Sequence, residues 1–150
     1  MFGKKLSEYF RFQRWILILI AAVWLVRLVL SLTGPFSTAR WVSINIVLLA
    51  GLVYYAVAVH TKEFGSYKQL LGLLFVQTAL AEILIALGIT LGILTGTNNA
   101  FTVPEVSGGG DGKSWVHVAV HIVVMFILPL FGWLIASPIL FFTKKLKPEV

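Results

Sequence analysis

Four ionisable side chains stand inside otherwise apolar stretches of this sequence: Arg27, Glu82, His117 and His121. Asn45 and Gln77 are their neutral polar companions. A charged residue at the centre of a membrane helix costs about 2.5–3.5 kcal/mol on insertion scales, so such groups persist where a partner or a function uses them. His117 and His121 are four residues apart and therefore share one helix face. Two imidazoles at that spacing can hold one metal ion, with Glu82, Glu105 or Asp111 adding a carboxylate. The pair lacks the Glu of an HExxH zinc motif. It cannot clamp a haem from opposite faces either, because both rings project from one side of one helix. His60 falls at the opposite interface. The alternative to a metal is a hydrogen-bonded polar seam.

Arg27 and Glu82 make a second pairing. An arginine on one helix can reach a carboxylate on another and lock the bundle as a buried ion pair. The sharper alternative is an anion or headgroup anchor at Arg27, with Glu82 as its proton-linked partner. In either case Glu82→Leu should destabilise the protein by leaving Arg27 alone.

These residues need elements to position them. Of 150 residues, 59% are hydrophobic and only 12% are charged, about half the charged share of an ordinary soluble domain. Mean hydropathy is +0.94. A soluble fold of this length could not hide that much apolar surface. Four stretches are long enough to cross a hydrocarbon core, near Trp15–Thr33, Trp41–Val59, Leu70–Leu94 and Trp115–Phe142. Gly34-Pro35, residues 61–66 and residues 95–114 separate them with turn chemistry. Backbone groups must pair internally in lipid, and continuous apolar runs do not show the two-residue alternation of barrel strands. The expectation is an all-α integral membrane four-helix bundle forming one domain over residues 1–150.

Lys4, Lys5, Arg11, Arg14, Lys62, Lys68, Lys144, Lys145 and Lys147 fall on one side of this arrangement, and only Arg40 and Lys113 on the other. That bias places both termini in the cytoplasm. Trp15, Trp41 and Trp115 mark span ends, where indole favours the headgroup boundary. Ahead of the first span, Phe2, Leu6, Tyr9, Phe10 and Gln13 recur at helical spacing between charged residues. This pattern reads as a short N-terminal amphipathic helix in the interface, or as a charged tail that sets topology. Arg27 and the lack of a small-residue cleavage pattern argue against a cleavable signal peptide.

Counting about 1.5 Å per residue puts Arg27, Asn45 and His121 at nearly one level, about 6–9 Å below the outer interface, with Glu82 deeper. This coincidence of depth makes Arg27, Asn45, Glu82, His117 and His121 the candidate ligand-binding set, with His117 and His121 as candidate metal ligands. Thr78, Glu82, Ala86 and Thr90 recur every four residues, a small and polar stripe that should face protein or a wet cavity. Gly88, Gly92 and Gly96 form a small-residue pattern that lets a second helix approach, within the chain or from another copy. Pro129 removes one helical hydrogen bond and should kink the fourth span near Met125. The connection at 95–114 either folds over the mouth of the polar layer or acts as a mobile tether.

Absent cysteines exclude disulfides and thiolate sites. The net charge of +6 flanks apolar runs and forms no stripe along which a nucleic acid could lie. The partners expected are the lipid bilayer and either further copies of the chain or other membrane subunits, with no nucleic acid. No cofactor fingerprint is present. The function expected is binding or conduction of a small molecule or ion by an oligomer. The alternatives are an accessory subunit of a larger membrane complex, with a quinone or lipid pocket, and a membrane-embedded metal enzyme. Small size and missing cysteines suggest a prokaryotic inner membrane.

Overall fold

The computed structural model describes residues 1–107 and 112–147, and it is helical throughout its regular structure. In chain order the helices are α1 (Leu6–Thr33), α2 (Phe36–Arg40), α3 (Ile44–Thr61), α4 (Tyr67–Thr95), α5 (Pro104–Ser107) and α6 (Trp115–Leu146). Four units among the described residues are long and apolar enough to cross a membrane: α1, α2 with α3, α4, and α6, whose most apolar windows have mean hydropathy of 2.2–2.5. α2 and α5 are short turns of helix at one end of the bundle.

Local chemistry explains where the helices begin and end. The Glu8 carboxylate accepts the Lys5 N–H at 2.6 Å, and Gln69 accepts the Ser66 N–H at 2.9 Å, closing the first turns of α1 and α4. α4 stops at Gly96, whose φ of +70° suits a residue without a Cβ. Ser114 starts α6 by accepting the His117 N–H at 3.1 Å. α6 then continues as helix through both Pro129 and Pro138, and Pro129 is buried.

Both described chain ends lie beside the α3–α4 turn. Gln69 donates to the Phe2 carbonyl at 2.8 Å, His60 Nε2 lies 2.6 Å from the Lys147 carbonyl, and Lys144 donates to Ser66 at 2.9 Å. This is the terminal end of the bundle. The α1–α3 and α4–α6 connections form the opposite, loop end. α4 is the central helix: 56% of its most apolar window is buried, against 6% for α6, which turns most of its surface outward.

Three expectations change in the structure. No separate interfacial helix precedes the first span, because α1 runs unbroken from Leu6 and includes that segment. Tyr9 and Gln13 continue the stripe of Leu17 and Ile20 that faces the bundle, and Tyr9 packs edge-on against Phe64 at 5.3 Å. Of the residues that suggested a headgroup-facing surface, Tyr9 and Gln13 form the inner face of the same helix, while Phe2, Leu6 and Phe10 are exposed. Second, Gly88 and Gly92 receive the α4–α6 connection and not a helix. A Cβ at Gly88 would run into the Phe101 ring, and one at Gly92 would come within 2.6 Å of the Thr102 methyl. Third, that connection is no tether in its middle: after exposed residues 95–98, Asn99 to Val103 are buried.

Candidate functional site

Asn99 staples the α4–α6 connection to α4. It donates through Nδ2 to the Gly88 carbonyl at 2.9 Å and accepts the Phe101 N–H through Oδ1 at 2.9 Å. Its own N–H goes to Thr102 Oγ1, also at 2.9 Å. This staple drives Phe101 into the loop end, where Trp24 stacks on it with ring centroids 6.2 Å apart. Below Phe101 lies a chamber of about 130 Å³.

All five candidate binding residues line that chamber: Arg27 from α1, Asn45 from α3, Glu82 from α4, and His117 and His121 from α6. Ile44, Ile85, Ala100 and Phe101 supply its apolar walls. Thr78, Glu82 and Ala86 are buried, so the small and polar stripe of α4 faces the interior.

Glu82 does not pair with Arg27. His121 Nδ1 lies 2.5 Å from Glu82 Oε2, while Arg27 donates to the Val42 carbonyl at 3.0 Å and sits 5.6 Å from the Phe101 ring centroid. The Arg27–Glu82 pairing expected from depth gives way because α6 packs directly on α4 and brings His121 to the carboxylate first. Gln77, the remaining polar companion, donates to the Leu48 carbonyl at 3.2 Å, away from the chamber.

The hydrogen bonds constrain where protons sit on the histidines. His117 Nδ1 lies 3.1 Å from the Gly112 carbonyl, which can only accept, so that nitrogen carries hydrogen. An ionised Glu82 places the same demand on His121 Nδ1. With both rings neutral, the two Nε2 atoms face each other as lone pairs across 3.3 Å. One hydrogen resolves the conflict. It is either a proton held by the pair or a donor supplied by a bound molecule.

A metal ion also fits between two nitrogens, since the 3.3 Å separation suits a tetrahedral ion with metal–nitrogen bonds of about 2.0–2.1 Å. Glu82 stands behind His121 as an orienting carboxylate. Among the described residues, however, no group of three His, Cys, Asp or Glu is placed to hold a metal. Glu105 is exposed, Asp111 lies outside the described residues, and His60 is at the terminal end.

A second cavity of about 380 Å³ lies between α3, α4 and α6. It is lined mainly by Leu and other apolar residues, and Asn45, Gln77 and Thr78 are its polar members. Sequence reasoning missed this cleft and the roles of Phe101 and Asn99. The usable signal was Asn99 followed by Thr102, the pairing of a side-chain-capped turn. No protein-family model, curated protein or solved structure matches the chain.

Proposed function

We propose that the chain is an integral membrane protein that binds a small hydrogen-bonding molecule in the chamber at its loop end. One observation carries this reading: polar or charged side chains from four helices converge on one cavity of about 130 Å³. Each is costly to keep in a membrane, and structural pairing alone would not require a cavity among them. The chamber offers a guanidinium on one wall and imidazole nitrogens on another, which suits a ligand that accepts from the one and, with both rings neutral, donates to the other. The nine-to-two split of Lys and Arg supports a cytoplasmic terminal end, while small size and missing cysteines are the ground for an inner membrane of prokaryotic type. Self-association would use the outward faces of α1 and α6, since Gly88 and Gly92 are already covered.

Native mass spectrometry of protein released from its own membranes tests the reading. The wild type should carry a small molecule that Glu82→Gln and His117→Ala both lose. A wild type with no bound mass sensitive to these substitutions overturns it.

A further inference from the structure

Asn45 is exposed on α3 and lines both the polar chamber and the larger apolar cleft. The cleft has a mouth. Leu49, Phe131 and Ile135 line it and are 60%, 59% and 63% exposed on the apolar outer surface of the bundle. In a bilayer that surface meets acyl chains, so the cleft is entered sideways from lipid. A fully water-soluble ligand has no use for such an entrance. A plain acyl chain has no use for a Glu–His–His relay at the far end.

The chemistry of the chamber narrows the head. A carboxylate or phosphate brings only acceptors to the histidine Nε2 atoms and sets an anion beside Glu82. With both rings neutral, a hydroxyl supplies the hydrogen between the two Nε2 atoms, and an oxygen on the same head can accept from Arg27. Ile44, Ile85 and Phe101 ask for a flat apolar body between the polar edges. Resting on the chamber reading above, we propose that the ligand is a single-tailed amphiphile with a hydroxylated ring head of the phenol or hydroquinone class. Its head lies in the chamber against His117 and His121, and its tail passes Asn45 into the cleft.

The test uses the full chain in lipid nanodiscs with three probes: decylhydroquinone, hydroquinone and decanoic acid. Decylhydroquinone should bind at least about ten-fold more tightly than hydroquinone, because only it buries a tail. Two variants target the cleft. Gly132→Phe fills it, for Gly132 faces Leu52 and Leu74 with only ordinary contacts. Leu49→Trp narrows the mouth from an exposed position and so spares folding. Either variant should erase the tail's advantage and leave hydroquinone binding unchanged. His121→Leu should weaken both ring probes. Equal binding of decanoic acid and decylhydroquinone overturns the assigned head. Equal binding of the two hydroquinones, unaffected by Leu49→Trp, overturns the assigned tail and leaves the chamber intact. No probe binding, with a native small molecule still lost in Glu82→Gln, overturns the amphiphile and not the chamber. If that molecule is absent as well, both readings fall.

Discussion

The two halves of the bundle bury polar side chains in different ways. At the loop end Glu82, His121, His117 and Asn99 are joined by hydrogen bonds to one another or to backbone, beside a cavity. Towards the terminal end the Gln13 amide, the Tyr55 hydroxyl and Gln77 Oε1 are buried with no hydrogen-bond partner among the described residues. Around Tyr55 the surroundings are packed and aromatic, with Phe12 and Phe64 4.2 Å apart and Tyr55 6.5 Å from Phe12, whereas Gln77 lines the apolar cleft. In the loop half Trp24 Nε1 is likewise buried with no hydrogen-bond partner among the described residues, so the contrast is one of degree. Burial of a polar group is therefore a poor marker of function by itself. Partnership around a cavity is the better one, because a connected network is expensive to break and an isolated group is not.

The contrast breaks most readily at Glu82. Glu82→Leu leaves His121 Nδ1 without its acceptor in a site where the carboxylate is 5% exposed, and should cost about 3 kcal/mol. Adding His121→Leu should recover part of that loss in reversible unfolding from mixed micelles. A single mutant as stable as the wild type would remove the network. Gly88→Val comes next. Its side chain displaces the Phe101 ring and should cost about 2 kcal/mol, with faster proteolysis of the α4–α6 connection. Were it instead to change only the oligomeric size, Gly88 would face another copy. Asn99→Ala removes the staple but not the ring, so a loss of about 1 kcal/mol and milder protease sensitivity are expected.

Much of this architecture is legible in the sequence, for a physical reason. Lipid forces backbone groups to pair within each segment, so length and apolarity nearly dictate the helices. Height along the bundle was equally readable, because the rise per residue is fixed. It brought Arg27, Asn45, Glu82, His117 and His121 to one cavity before any packing was known. What height cannot supply is rotation. Arg27 and His121 line one cavity, yet only His121 pairs with Glu82. Rotation also decided the N-terminal segment, where Tyr9 and Gln13 lie on the bundle face while Leu6 and Phe10 are exposed. The Gly88 and Gly92 pattern announced close approach without saying by what, and a loop answered.

The smallest expected effect is the most discriminating. Tyr55 is fully buried, and its hydroxyl has no partner among the described residues. Removing a polar atom that makes no hydrogen bond forfeits nothing, and it spares the desolvation the hydroxyl suffers. The ring remains, so packing against Phe12 is kept. Tyr55→Phe should thus change stability by less than about 0.5 kcal/mol, or raise it slightly, and leave retention of the native small molecule untouched. A fall in stability would mean that the hydroxyl is hydrogen-bonded in the membrane, through water or a neighbour such as Gln13. Loss of the bound molecule would mean more. The polar groups of both halves would then form one connected system, and the chamber would be only its upper part.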